Sequence, residues 1–302
     1  MINAKIEENF SHFLIPDVCS LCESKSFEIF CRKSGFVLYR CTNCSFIFTP
    51  LNPLEIKDYY TNDYMYNNDG WGYVDYEIDK APMRSIYESL LLSFSMVKRG
   101  NRLLDIGTAN GYFLDVAKEC GYEAEGIDIN EAAILEGKQK GRLVKCVDLL
   151  KSDYKNESFD VVVALDLIEH LPNILLNDFM IRTKDIMTKN GFLMLITLDT
   201  SSRFAMFFGR KWHAILPPEH VSYFNKANIR CFLEQRGFRV ISVETLHKKF
   251  SLQYIFHSLY RWQRFSFWKK CTMFLERHPR LGRISFTLHI GDNITVIAQK
   301  NE

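Results

Sequence analysis

The sequence predicts an α/β fold: a doubly wound sheet of seven strands with helices on both faces, preceded by a small four-cysteine module. Three observations predict it. From Arg102 onward, short apolar runs alternate with helical stretches. Runs such as residues 161–165 are apolar on both faces, as strands of a helix-covered parallel sheet are. Near the start, four of the nine cysteines form two CxxC pairs.

The chain has 302 residues, room for about two domains. Its 47% hydrophobic and 25% charged content, with Gly and Pro at 23 residues, excludes a fibrous or low-complexity protein. Residues 1–80 carry 7 basic and 12 acidic side chains, whereas residues 245–302 carry 10 and 3, so only the last part is basic. The acidic first segment would oppose a phosphate backbone, which makes nucleic acid an unlikely partner. No apolar run approaches the 18 or more residues of a membrane span, and MINAKIEENF lacks the apolar core of a signal peptide. These features predict a soluble, cytoplasmic chain whose cysteines are thiols or metal ligands rather than disulfides.

The module is read over residues 1–52. Cys19 and Cys22 are separated by 18 residues from Cys41 and Cys44, the spacing of a four-cysteine zinc ribbon. Two knuckles would each present two thiolates. The segment between them reads as a hairpin turning near Ser34 and Gly35, with Cys31 on a strand. Four thiolates fill a tetrahedral zinc, so such a site is structural. Residues 53–98, rich in Tyr, Asn and Asp at first, read as an aromatic linker or lid with a lead-in helix.

In residues 99–302, RLLDIG, EAEGIDI, LVKCVD, FDVVVALD, GFLMLITL, FRVISVETL and NITVIAQK supply the seven strands. The helices DVAKECG, NEAAILEGKQKG and NKANIRCFLEQRG each close on a glycine. The turn after the first of these strands, LLDIGTANGYFL, is a poor dinucleotide fingerprint, because Ala109 and Tyr112 stand where glycines are needed. Asp105, two residues before Gly107, would repel a pyrophosphate and attract the ammonium and sulfonium of S-adenosylmethionine. Asp128, ending the second strand, is placed for ribose hydroxyls. Asp148, after the third, is a candidate acceptor for the adenine amino group or, alternatively, a helix N-cap.

With these residues the sequence resembles the class I S-adenosylmethionine-dependent methyltransferases, over roughly residues 99–300. The resemblance implies a Rossmann-like seven-stranded methyltransferase sheet. It assigns Asp105, Gly107 and Gly111 to the methionine part of the cofactor, Asp128 to ribose and Asp148 to adenine. Ala109 replaces the usual middle glycine, and FDVVVALDLIEHLPN looks like the family's fourth-strand motif, ending in Glu169 and His170. The zinc ribbon together with WHAILPPEHVSYFN resembles a bacterial subgroup acting on sugars, sugar nucleotides and surface-polysaccharide precursors.

Methyl transfer needs orientation and at most one base to take the acceptor's proton. His220, between the prolines of PPEH and the helix opening near Asn225, is the first candidate, and His170 the second; either can instead be a structural histidine. His213 lies in the same loop. Glu219 could orient a histidine, and Trp212 or Tyr223 could stack on an acceptor. The expected activity is O-methylation, before N- or C-methylation, of a small-molecule or glycan acceptor. The alternatives are a nucleic-acid methyltransferase and a non-catalytic scaffold with this fold, against which the intact Asp105, Gly107, Gly111 and Asp128 argue.

Residues 247–286 form an insertion before the last strand, with Leu252, Ile255, Phe256 and Leu259 at helical spacing amid Lys and Arg. It reads as a basic amphipathic helix or helix pair that packs on the domain, touches an anionic membrane surface peripherally, or meets a phosphate-bearing acceptor.

Overall fold

The computed structural model describes residues 17–51, 76–95, 100–263 and 265–301. Residues 52–75, most of the stretch read as a linker or lid, lie outside them.

The N-terminal hairpin joins β1 (Phe27–Lys33) to β2 (Phe36–Cys41). Ser34 and Gly35 both have positive φ, 51° and 80°, the requirement of a two-residue turn whose twist matches the strands. A short β3 (Ile47–Phe48) pairs with β2. The described chain resumes with α1 (Tyr76–Lys80) and α2 (Arg84–Ser95).

The core then runs β4 (Arg102–Ile106), α3 (Tyr112–Glu119), β5 (Glu123–Asp128), α4 (Glu131–Gln139), β6 (Val144–Cys146) and β7 (Phe159–Leu165). It continues with α5 (Leu176–Ile186), β8 (Met187–Leu198), α6 (Arg203–Phe208), β9 (Ser222–Tyr223), α7 (Lys226–Glu234) and β10 (Phe238–Leu246). The insertion contributes β11 (Lys249–Ser251), α8 (Leu252–Gln263), α9 (Ser266–Arg277), α10 (Pro279–Gly282) and β12 (Ser285–Thr287), and β13 (Asn293–Lys300) ends the sheet.

All seven expected strands lie in one sheet, in the order β10-β13-β8-β7-β4-β5-β6. β13 runs antiparallel to both neighbours, and the pairs β8–β7, β7–β4, β4–β5 and β5–β6 are parallel. Strand order reverses at β4, so a crevice opens at the carboxyl ends of β4, β5 and β7. The two-residue period of a strand divides the core. Leu104, Val162, Ala164, Leu193 and Leu195 face α5 and α7, whereas Leu103, Val161, Val163, Met194 and Ile196 face α2 and α3. Gly121, Gly141 and Gly237 follow α3, α4 and α7 with φ between 75° and 85°, a conformation that ends a helix at little cost to glycine.

The N-terminal module packs directly on this core. Cys19, Leu21, Cys41, Phe46 and Phe48 share one buried cluster with the sheet, α5 and α7. The Phe46 ring lies 5.2 Å from that of Phe224. Arg236 donates to Ser20 O at 2.9 Å, and Asn228 to Cys44 O at 3.2 Å. The module's sheet is completed by a strand of the core: β3 pairs antiparallel with β9, giving the order β1-β2-β3-β9.

Phe48, buried against Phe27, Tyr39 and Phe46, tests this continuity. Phe48→Ala should cost about 3–5 kcal/mol. In urea unfolding, the loss should appear in one transition, coincident by tryptophan fluorescence and far-ultraviolet circular dichroism.

Candidate active site

Between β4 and α3 the chain turns through Gly107, Ala109 and Gly111, with φ of 76°, 52° and 78°. The N–H groups of Gly107 and Thr108 donate to Ile127 O at 2.8 and 3.0 Å, fastening the turn to the end of β5. Ala109 adopts the left-handed conformation despite its Cβ, and its N–H donates to Asp128 Oδ2 at 2.8 Å. A Cβ on Gly107 would meet Leu167 Cδ1 at 2.8 Å, and one on Gly126 would meet Thr108 Oγ1 at 2.5 Å. From behind, the buried Arg142 donates to Asn110 O and to both Asp115 and Glu77, tying the turn to α3 and α1.

Parallel strands end together, so their carboxylates converge. Asp105 ends β4, is 2% exposed, and its Oδ1 is buried without a hydrogen-bond partner among the described residues. Burial pushes its carboxyl up to about 7. Asp128 ends β5 and accepts from the backbone N–H of both Ala109 and Asn130, at 2.8 Å each. Burial raises its carboxyl as well, against those hydrogen bonds and the nearby His170. Asp148 Oδ1 accepts from Leu150 N at 3.0 Å, the N-cap geometry that the sequence left open beside the adenine role.

Asp166, just past β7, was not singled out in the sequence. It has φ 53° and binds two cations, Lys80 of α1 at 3.0 Å and Lys248 at the root of the insertion at 2.6 Å. These lysines hold its carboxyl well below the usual range, although it is partly buried. The rule that found Asp105 and Asp128, an acid at the carboxyl end of an apolar strand, applies equally to Asp166.

The two candidate bases come together. His170 and His220 have ring centroids 4.9 Å apart, and their ligand atoms lie within 4.8 Å of each other and of Glu169. This trio of two imidazoles and a carboxyl can hold either a proton or a metal ion. His170 Nδ1 contacts Glu219 O, and His220 Nδ1 contacts Ala214 O, each at 2.8 Å. A carbonyl only accepts, so each Nδ1 donates, and in the neutral form of His220 the Nε2 is left with a lone pair. Burial, aided by His170, lowers His220 to about 4. The buried Glu169 accepts from Thr197 Oγ1 at 2.8 Å, and burial raises its carboxyl.

Glu219 meets His170 through its backbone carbonyl, and its charge favours the imidazolium of His220. One expected role is corrected. Tyr223 is fully buried and donates to His220 O at 2.7 Å, so it supports the loop and cannot stack on an acceptor. Trp212 is also buried, its Nε1 donating to Asp292 at 3.0 Å, and only lines a cavity of about 380 Å³ between module and loop. His213 is 3.5 Å from Asp292, on that side of the loop.

At the module, Cys19 and Cys44 Sγ are 3.7 Å apart, Cys22 and Cys41 Sγ 3.6 Å, and all four lie within 4.8 Å of one another. These are thiol separations rather than disulfide bonds, near the ~3.8 Å edge of a tetrahedron with ~2.3 Å zinc–sulfur bonds. The two knuckles match: Glu23 and Ser45, each following a second cysteine, have φ of 58° and 61°. Their N–H groups donate to Cys19 O and Cys41 O at 2.8 and 2.9 Å.

The Asp105 carboxyl links stability to pH. Its folded pKa, about 7, lies above the unfolded value near 3.8, so its contribution is full below 3.8 and lost as pH rises through 7. Asp105→Asn should therefore stabilise the ligand-free protein at pH 8 by on the order of 3 kcal/mol and flatten this decline, measured by urea unfolding from pH 4 to 8.

Comparison with known proteins agrees with this architecture. Residues 79–243, more than half of the chain, match the family model described as a methyltransferase domain. A ubiquinone biosynthesis O-methyltransferase of Idiomarina loihiensis is 30% identical over 81 residues, covering 24% of this chain and 33% of that protein. The chain thus matches about a third of the length of this curated relative. The crystal structure of a SAM-dependent methyltransferase from Archaeoglobus fulgidus superposes with a TM-score of 0.50 at 22% identity, covering 74% of this chain and 98% of that one. The magnesium protoporphyrin IX methyltransferase of Synechocystis PCC 6803, with bound SAH, gives 0.53 at 14% identity, covering 83% and 100%. The structures share the fold, and with the family match over residues 79–243, the chain belongs to the methyltransferase-domain family.

Proposed function

We propose that the protein transfers a methyl group from S-adenosylmethionine to an oxygen of a small-molecule acceptor. The observation that carries this reading is Asp105: a buried carboxyl with an unpartnered oxygen at the crevice suits a cationic ligand. The donor supplies an electrophilic methyl on sulfur; the chain's residues bind, orient and accept a proton.

Asp105 and the turn from Gly107 to Gly111 would hold the methionine part. Asp128, fixed by Ala109 N and Asn130 N, keeps further lone pairs for ribose hydroxyls. Asp148, with Oδ1 on Leu150 N, offers its other oxygen to the adenine amino group. His220 is the base: its Nδ1–H is fixed on Ala214 O, and Nε2 takes the acceptor's proton. His170, near Asp128, shapes the cofactor pocket.

For the acceptor we propose a sugar, sugar nucleotide or surface-polysaccharide precursor. The resemblance of the module and of WHAILPPEHVSYFN supports it. So does the cavity between them, where Arg40, Ser201 and Asn225 lie beside Ile47, Trp212 and Ile215. The Idiomarina relative, an O-methyltransferase by name, favours oxygen.

Calorimetry should show S-adenosylmethionine and its demethylated product binding, with Asp128→Ala weakening both; NAD binding in their place would overturn the reading. In a labelled-methyl screen of sugar nucleotides and lipid-linked glycans, His220→Ala should lower turnover about a hundredfold or more while leaving cofactor affinity near wild type. Normal turnover by His220→Ala would remove it as base.

For the module we propose one structural zinc on Cys19, Cys22, Cys41 and Cys44, supported by the sulfur tetrahedron and the matched knuckles. Elemental analysis of protein purified without chelator should find one zinc per chain, and Cys41→Ser/Cys44→Ser should abolish it. Because β3 pairs with β9, the same variant should lose turnover before cofactor affinity.

A further inference from the structure

The insertion presents a surface that the methyl-transfer reading does not use. In α9, Thr272 and Leu275 are buried, while Phe267 and Phe274 are 61% and 53% exposed. At about 100° per residue, two positions seven apart share a line to within about 20°. Phe267 and Phe274 therefore form one outward row. Lys270 and Arg277 form a second, about 60° further round, and the exposed Met273 lies on its other side. Beyond α9, the exposed Leu281 and Ile284 alternate with Arg280 and Arg283. Residues 247–286 hold nine Lys and Arg against one acid, Glu276. Among the described residues, none of Lys269, Lys270, Arg277, Arg280 and Arg283 forms an ion pair with a carboxylate.

We infer that this outer face of α9 and α10 docks on an anionic membrane surface. Cations meet lipid headgroups while the aromatic rows between them enter the boundary of the acyl layer. Nucleic acid offers the phosphates but no apolar layer for Phe267 and Phe274. A second copy would oppose one basic face to another across a two-fold axis, and the like charges would repel. With 12 residues, α9 is too short to cross a bilayer, and no helix among the described residues is long and apolar enough to do so. The face therefore lies on the surface.

The stem ties the insertion to the domain. β11 pairs with β12, closing the base of the insertion, and Lys249 donates to Ser85 at 2.9 Å. Lys248, one residue earlier, binds Asp166 at the crevice. Docking through α9 would thus tether the domain to the membrane by the same insertion whose root meets the crevice.

The test is cosedimentation of the full chain with vesicles of phosphatidylcholine alone or with 30 mol% phosphatidylglycerol, a composition of about one anionic lipid in three. Binding is expected only to the anionic vesicles, weakening with salt. Each cation at such a surface contributes about fivefold, so K270Q/R277Q should bind about 30-fold more weakly. F267S/F274S should lose about tenfold or more. Calorimetric affinity for S-adenosylmethionine and the melting temperature serve as controls that stay at wild type. Should the Phe variant melt early, the charge variant decides. The inference is overturned by no binding to anionic vesicles, by equal binding to phosphatidylcholine, or by variants that bind like wild type. It is also overturned if light scattering shows a dimer that the variants dissolve.

Discussion

Four carboxyl groups, Asp105, Asp128, Asp166 and Glu169, are crowded at one edge of the sheet because parallel strands finish together. Burying like charges side by side disfavours ionisation, and burial raises Asp105, Asp128 and Glu169. Asp166 goes the other way, since Lys80 and Lys248 flank it. Those lysines come from segments outside the seven-stranded sheet, α1 and the root of the insertion. One ionised carboxylate at the switch of strand order therefore fixes both segments on the crevice. Removing either lysine would leave a half-buried charge only partly compensated.

The N-terminal module acts on the same edge by backbone pairing. Thr49 N–H donates to Val221 O, and Val221 N–H donates to Glu169 O, both at 2.8 Å. Val221 thus bridges the module to the turn that carries Glu169 and His170, and His220 is its neighbour in sequence. Ser222 extends this link by donating to Leu171 O at 2.7 Å. The four thiols sit at the two knuckles of the same module, packed against the cluster shared with the core. Whatever orders the two knuckles therefore bears on the histidine loop through main-chain hydrogen bonds, which tolerate little displacement.

The seven strands were legible because each is a short apolar run bounded by turns or helix signals, and the hairpin turn because Ser34–Gly35 supplies two residues suited to positive φ. The cysteine set was legible from spacing alone. The pairing of β9 was not: two residues, Ser222 and Tyr223, carry no period to read, and their partners, Phe48 and Ile47, lie far back in the N-terminal module. Tyr223 was misread because aromatic residues near a site suit stacking and burial equally, and the sequence does not show which face is covered. Asp166 was visible but overlooked, since its partners, Lys80 and Lys248, are brought to it only by tertiary structure.

The histidine pair follows from the same loop. Residues 214–220 turn back on themselves, so that the carbonyls of Ala214 and Glu219 both point at imidazole nitrogens. Each ring thus points its Nδ1 at a carbonyl, and neutral His220 keeps Nε2 as an acceptor. With centroids 4.9 Å apart, the rings would repel if both were charged, and His170 is one reason His220 lies near 4. The pair thus enters the neutral pH range with His220 uncharged and able to accept. In the proposed transfer, a proton arriving at Nε2 of His220 meets Asp166 and Glu219, whose charges favour the imidazolium, and His170, which opposes it. The loop thus fixes the ring, while burial and His170 keep it in the accepting form at neutral pH.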